Sequence, residues 1–426
     1  MILSMLALFF ILLFLGMPIA YTMGLVSIAM LLFSGISLEI VVQRMFAGVN
    51  SFSYLAIPLF ILAGNIMGKG GLTRRLMNLA HVVVGKLTGG LGMTAIVTSA
   101  LFGTVSGSTV ATTYAVGSVV VPELKKEKYS NSFIAAIIGP AGVLGLIIPP
   151  SITMVILGIT ADISIGKLFI AGILPGIVLT IAICIYVAFM AKRKGFGEVE
   201  REPITRQQFW KICREAILPL LSPIFILGSI FSGYATATEA AVIAVVYSFI
   251  LALYYREIDM KTFKDIMSSS ALASATILII ISVANVLTYV LTANKIPAMI
   301  SSFFLQFANT PWQFLLAVSV ILLLLGMFLE VTSLIVLLAP IFMPIAMQYG
   351  IDPIHFGMVL IMNFALANVT PPVGLSLIAG ASVTDRNMGI EDTFPYVLHV
   401  IGIIAFVTLL IIFVPSISTV IPNMFE

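Results

Sequence analysis

Gly145-Leu146-Ile147-Ile148-Pro149-Pro150-Ser151 interrupts a long apolar run, and Ala367-Asn368-Val369-Thr370-Pro371-Pro372-Val373-Gly374 repeats the interruption 222 residues later. Proline has no N–H, so Pro149 and Pro150 cannot close helical bonds on the carbonyls of Gly145 and Leu146, nor Pro371 and Pro372 on those of Ala367 and Asn368. These main-chain oxygens are expected to lose their helical partners. In lipid they need substitutes, and a hard cation among carbonyls and hydroxyls is a natural one. Beyond each break a new helix should start; at the second, Thr370 is placed as N-cap and Pro371 as first helical residue. Helix N-termini attract anions, so one construction offers carbonyls to a cation and N–H groups to an anion.

The chain around these breaks belongs in a membrane. Of its 426 residues 60% are hydrophobic and 9% charged, against about a quarter charged in a soluble domain. At roughly 20 apolar residues per span, such a chain supplies on the order of ten to twelve crossings, all helical. Met1 to Gly16 has no basic leader and its apolar run continues through Leu32, which reads as a retained membrane segment. Gly16-Met17-Pro18 either breaks one span or separates two. Cys184 and Cys213 are too few for a disulfide framework or a thiolate metal site. A net charge of +3, spread over short loops, gives no footing to a nucleic-acid partner.

One stretch reads as a linker. From 191 to 215 it carries Lys192, Arg193, Lys194, Arg201, Arg206, Lys211 and Arg214 with several acids, and it divides the chain into residues 1–195, a cytoplasmic linker 196–215, and residues 216–426. The halves match. Val119-Val120-Val121-Pro122 falls on Ile341-Phe342-Met343-Pro344 at the proline-pair offset of 222, and Asn65 falls on Asn285 and Leu174-Pro175 on Phe394-Pro395 at an offset of 220. Connections in the first half are basic (Lys69, Arg74, Arg75 and Lys86; Lys125, Lys126 and Lys128), whereas their counterparts hold only Lys295. Cytoplasmic loops collect Lys and Arg, so the halves are expected to be inverted repeats with a site at their interface.

Each half also holds an expected re-entrant hairpin, at about 92–123 and about 312–345, with arms of about a dozen residues, too short to cross alone. The expected tips are Gly103-Thr104-Val105-Ser106-Gly107-Ser108-Thr109 and Gly326-Met327-Phe328-Leu329-Glu330-Val331-Thr332-Ser333. Irregular backbone at that depth must be buried in protein or line a wet cavity, and Ser and Thr hydroxyls there can bind an ion or cap the returning arm. Ser108, Thr109, Ser151, Glu330, Thr332, Ser333 and Gly374 are the residues placed to meet a substrate. Glu330, ionisable at a tip, can bind a cation, accept from a substrate hydroxyl or cap its helix. Thr236-Ala237-Thr238-Glu239 has the spacing of a capping box, so Glu239 reads as structural. Asn65 and Asn285 are expected to bridge helices, and Lys167 and Arg386 are the basic residues nearest the breaks.

Other chemistries lack their residues. His81, His355 and His399 are isolated, and none is followed by Glu, so the metalloprotease motif is missing. Gly85-Lys86 and Gly166-Lys167 are each followed by Leu rather than Ser or Thr, so there is no phosphate-binding loop. Ser106 and Ser108 have no histidine in either hairpin to act as base, which disfavours an intramembrane hydrolase. The chain reads as a non-enzyme without a cofactor, driven by an ion gradient. A channel would differ by flux without saturation.

The chain resembles the large membrane (M) subunit of the tripartite ATP-independent periplasmic (TRAP) transporters over essentially its whole length. The resemblance is carried by Ala56-Ile57-Pro58-Leu59-Phe60-Ile61-Leu62-Ala63-Gly64, Phe102-Gly103 with Ser106-Gly107-Ser108, Ile148-Pro149-Pro150-Ser151 and Thr236-Ala237-Thr238-Glu239-Ala240-Ala241. Gly350-Ile351-Asp352-Pro353-Ile354-His355-Phe356-Gly357 and Thr370-Pro371-Pro372-Val373-Gly374 complete it. It implies a sodium-coupled importer of organic acid anions in the bacterial inner membrane, working with a small four-helix membrane subunit and a periplasmic binding protein. It further implies a scaffold and an elevator-type transport domain that carries both hairpins. Sodium ions would be coupling ions: Ser106, Gly107, Ser108 and the Pro149-Pro150 break would build one site, and Gly326, Thr332 and the Thr370-Pro371-Pro372 break its mirror, with substrate between the tips. C4-dicarboxylates, sialic acid and other sugar acids are the substrates implied; a stand-alone sodium/dicarboxylate symporter is the alternative. The family often has Asp where this chain has Glu330.

Overall fold

The computed structural model describes residues 2–197 and 205–424, and among them every regular element is helical. The helices α1 (Ile2–Phe14), α2 (Ile19–Phe33), α3 (Glu39–Val49), α4 (Ala56–Lys69) and α5 (Leu72–Val84) lead into a hairpin, α6 (Gly90–Ser106) and α7 (Thr109–Lys126). A broken helix follows as α8 (Asn131–Ala141), α9 (Leu144–Ile147) and α10 (Ile152–Thr160), and then the long α11 (Ile165–Lys194). Next come α12 (Arg206–Phe231), α13 (Ala237–Tyr255), α14 (Met260–Ala293) and α15 (Ile296–Phe307). A second hairpin, α16 (Pro311–Gly326) and α17 (Val331–Gln348), precedes a second broken helix, α18 (Pro353–Ala367) and α19 (Leu375–Thr384), and α20 (Tyr396–Phe413) with α21 (Ser416–Asn423). Hairpin, broken helix and apolar helix thus occur twice, in the same order.

Seven of the described helices are long and apolar enough to cross a bilayer, or eight if Asn131–Ile147 with Ile152–Thr160, bent by 45°, counts as one span. Composition alone suggested ten to twelve. The difference is core: every residue of α18 from Ile354 to Ala367 is buried, and so is most of α6. A helix apolar all round belongs inside protein rather than against lipid. The segment around Gly16-Met17-Pro18 separates two helices, α1 and α2.

Both hairpins form, with arms longer and tips shorter than expected; α17 is by itself long and apolar enough to cross a bilayer, against the expectation that no arm is. The first tip is Gly107-Ser108 alone, and the second is Met327 to Glu330. Gly103, Thr104 and Val105 stay helical, and the Thr104 hydroxyl donates to the Leu101 carbonyl (2.7 Å). Pro122, Pro340 and Pro344 sit inside α7 and α17 without ending them. The expected linker 196–215 is also shorter, since α12 starts at Arg206 under a Thr205/Gln208 capping box; residues 198–204, with Arg201, lie outside the described residues.

Packing divides the helices into two groups. In one, α14 lies against α2, α3 and α4, and α13 against α4 and α12; in the other, α6 to α11 pack with α16 to α21. The Ser282 hydroxyl of α14 donates to the Met45 carbonyl (2.9 Å), and the Asn285 amide reaches the Gly48 carbonyl (3.5 Å), so Asn285 bridges helices as expected. The Thr236–Glu239 capping box also forms. Contact between the groups runs from α4, α12 and α14 to α6, α10, α11 and α17, and α5 packs both on α12 and on the first hairpin.

The two broken helices touch each other where α8 crosses α19. There the Ser376 hydroxyl donates to the Gly139 carbonyl, and a Cβ on Gly380 would sit 2.6 Å from Gly139 Cα. Backbone cannot yield as a flexible side chain does. Gly380→Val is therefore expected to cost at least about 1–3 kcal/mol and to lower the thermal midpoint followed in detergent; an unchanged midpoint would show that the crossing is looser than described.

Candidate functional site

Both tips and both breaks converge on a cavity of about 250 Å³, lined by Ser106, Gly107, Ser108, Thr109, Leu146, Glu330, Thr332 and Asn368 among the expected residues. Its opposite wall comes from α4 (Ile61, Gly64, Asn65) and α14 (Ala273, Ile277), so the cavity lies at the seam between the packing groups.

The first tip is closed onto the first break. Gly107 adopts φ +58°, which side chains rarely tolerate, and a Cβ there would lie 2.9 Å from Ile152 N. The Ile152 N–H instead donates to the Gly107 carbonyl (3.3 Å), holding tip to break. Ser106 Oγ and Thr112 Oγ1 share a hydrogen bond of 2.6 Å across the arms, and Ser106 also reaches the Ser108 carbonyl (3.3 Å). Gly145 packs against this tip: a Cβ on it would lie 2.9 Å from Thr112 Oγ1 and 3.1 Å from the Ser108 oxygen. No donor among the described residues reaches the carbonyl of Gly145 or Leu146. The break that carries the bare carbonyls thus packs on the tip's hydroxyls and the Ser108 carbonyl, oxygen groups of the kind that suits a hard cation.

The second break is built differently. The Ala367 carbonyl accepts from Thr370 N–H (3.1 Å), and the Asn368 carbonyl from Ser376 N–H (3.2 Å), so neither is bare as the prolines alone implied. The first donor comes from the residue just before the prolines, and the second from chain beyond them that folds back. Thr370 is not the N-cap and Pro371 is not helical: the Thr370 hydroxyl donates to the Leu366 carbonyl (2.6 Å), and α19 starts at Leu375 with Gly374 as N-cap. Both proline pairs, Pro149-Pro150 and Pro371-Pro372, are cis. Gly326 packs close to this break, where a Cβ would collide with that of Ala367, as Gly103 meets Gly145 at the first.

Of the roles open to Glu330, the geometry realises the cap. Its carboxylate accepts from Ser333 N–H (3.2 Å) and from the Thr332 hydroxyl (2.7 Å). It is the charged residue among the described residues lining the cavity. Ser151 and Gly374 do not line it; Ser151 is buried and its hydroxyl caps α10 by accepting from Met154 N–H (3.4 Å). Ser333 is likewise absent from the lining, and its hydroxyl is buried without a partner among the described residues. Gly145, Pro149, Pro150, Gly326, Ala367, Thr370, Pro371 and Pro372 do not line it either. Neither Lys167 nor Arg386 reaches it: Lys167 borders a second cavity of about 590 Å³ with Asp162 and Thr238, and Arg386 is exposed past α19.

Part of the wall comes from residues outside the expected tips and breaks. Asn65 does bridge, donating to Ser270 Oγ of α14 (2.8 Å), but it also lines the cavity, as does Thr153 two residues past Ser151. The pairing of Asn65 with Asn285 in the repeat was a signal for position, not for exposure to a cavity. Among the described residues no three His, Cys, Asp or Glu side chains cluster, so the cavity offers an ion main-chain, hydroxyl and amide oxygens and the Glu330 carboxylate.

A family profile described as tripartite ATP-independent periplasmic transporter, DctM component, matches residues 6–417. The chain belongs to this family. Within it, a C4-dicarboxylate TRAP transporter large permease protein of Pseudomonas aeruginosa is 37% identical over 400 residues, covering 93% of this chain and 92% of that one. A sialic acid TRAP transporter large permease protein of Vibrio cholerae is 33% identical, with 88% of each chain covered. An isethionate TRAP transporter permease protein of Oleidesulfovibrio alaskensis is 37% identical over 94% of this chain, which spans 63% of that relative's length. Among solved structures, the YdaH transporter of Alcanivorax borkumensis shares the fold at a TM-score of 0.62 and 16% identity, with 88% of each chain covered. The chain is therefore a TRAP transporter large permease, a multi-span protein of the bacterial inner membrane.

A cap made by Glu330 has a measurable consequence for this permease. Glu330→Ala is expected to cost about 0.5–2 kcal/mol, and Glu330→Gln, whose amide oxygen still accepts, less. Thermal melting in detergent ranks the three proteins; equal loss in both variants would show that the charge, not the cap, matters.

Proposed function

We propose that the permease imports an organic acid anion coupled to sodium, working with a small membrane subunit and a periplasmic binding protein. C4-dicarboxylates, sialic acid and related sugar acids are the substrate classes; its relatives' names include the first two. The observation that carries the reading is the pair of bare carbonyls, Gly145 and Leu146, at a break that packs on the Ser106–Thr112 hydroxyl pair, with Leu146 and Ser106 lining the cavity that both tips share. An anion there meets no lysine or arginine among the described lining residues. Sodium held at the breaks supplies the positive charge that lowers the cost of holding a carboxylate inside the membrane. Differential binding of substrate to the sodium-loaded form is the coupling.

Orientation and motion follow from the same reading. The basic connections Lys69 to Lys86 and Lys125 to Lys128 face the cytoplasm, and their lysine-poor counterparts face outward, which makes the halves inverted repeats. The wall of α4 and α14 serves as scaffold, and the hairpins with their broken helices move past it as an elevator. No step forms or breaks a covalent bond, so the chain acts as a transporter and not as an enzyme.

In proteoliposomes holding all three components, Ser108→Ala and Pro150→Ala are expected to lower sodium-dependent uptake about tenfold or more, the loss of one ligand being worth about 1–3 kcal/mol. Unchanged sodium dependence in both, with normal membrane insertion, would sink the site. Omitting the binding protein and small subunit is expected to leave little uptake. Robust uptake by the chain alone would instead favour a stand-alone symporter.

A further inference from the structure

The two breaks occupy equivalent places in their halves, yet their oxygens are in different states. At the first, Gly145 and Leu146 offer carbonyls with no donor among the described residues, beside hydroxyls already gathered by the Ser106–Thr112 bond. At the second, Thr370 and Ser376 N–H groups hold the carbonyls of Ala367 and Asn368. A cation can enter the first site without displacing a bond. At the second it must compete with N–H donors pointed at the same oxygens, whose dipoles repel it.

One side chain joins the two. Asn368, 7% exposed, donates from Nδ2 to Thr109 Oγ1 (3.4 Å) at the first tip, while its Oδ1 accepts from Ser376 N–H (3.3 Å). Ser376 N–H is thus shared between the side-chain and main-chain oxygens of Asn368. Tightening the first tip around a cation moves Thr109, which opens α7, and pulls the Asn368 amide with it. A shift of Oδ1 redistributes that shared N–H, and the main-chain oxygen can then turn to an ion.

Resting on the sodium-coupled reading above, we propose that the sites fill in a fixed order, the first break before the second, with Asn368 and Thr109 as the positioning residues that transmit occupancy. The first site is preformed; the second is assembled by the first. Binding is then positively cooperative, and disabling one site is not equivalent to disabling the other.

Equilibrium binding of radiolabelled sodium to the purified full chain in nanodiscs tests this. Wild type should give a sigmoidal isotherm. Thr332→Val should leave one saturable class, whereas Ser106→Ala should remove both over the same range. Ser106→Cys, which keeps the volume but replaces a hard oxygen by sulfur, serves if the alanine variant does not fold. Thr109→Val should bring the Hill coefficient to about 1, and Thr109→Ser should restore cooperativity. Equal effects of the Ser106 and Thr332 substitutions, the reverse pattern, or a sigmoidal isotherm in Thr109→Val would overturn the order or its path. Independent sites in wild type would also overturn it while leaving sodium coupling intact; absence of saturable sodium binding in wild type would remove the functional reading itself.

Discussion

Main-chain polar groups have no solvent in the hydrocarbon core, so each must find a partner inside the protein. The whole molecule answers that constraint. Two helices are cut by proline pairs: the first cut, at Pro149-Pro150, is buried, whereas the second is half-buried at Pro371 and exposed at Pro372. Shielding them takes a core helix such as α18, buried from Ile354 to Ala367, and hairpins whose tips close over the breaks. Where the shielding supplies N–H donors, as at Ala367 and Asn368, the break is self-satisfied; where it supplies hydroxyls, as at Gly145 and Leu146, oxygen is left over.

Glycine and small residues make this closure possible. Gly64 approaches the first tip so closely that a Cβ would lie 3.0 Å from the Ser106 oxygen, and Gly103 lies against Gly145. Close backbone approach is what lets helices pack through their own main chains inside a membrane. The α4 and α14 wall meets the tips with small and apolar residues, Gly64, Ile61, Ala273 and Ile277, and one bridging amide, Asn65.

Much of this was legible in the sequence because the signals were local and repeated. A proline pair removes two N–H donors wherever it occurs, Thr236 to Glu239 capped as spaced, and the first hairpin turns at Gly107-Ser108 inside the stretch of small residues that marked it. What was not legible was long-range. Thr370 looked like an N-cap by spacing, but the turn through Pro371 and Pro372 moved that role to Gly374. The Asn368 carbonyl looked bare because the donor that reaches it, Ser376 N–H, comes from beyond the break. Helix count failed for a related reason, since composition does not distinguish an apolar helix in lipid from one in a core.

The claim at the centre is that sodium replaces the missing helical donors of Gly145 and Leu146. A high-resolution density map of the permease in sodium tests it most directly. The account predicts a cation coordinated by those two carbonyls and the hydroxyls of the first tip, lost when sodium is exchanged for a large organic cation. Carbonyls that stay bonded to N–H groups or to water alone, identically in both maps, would contradict it.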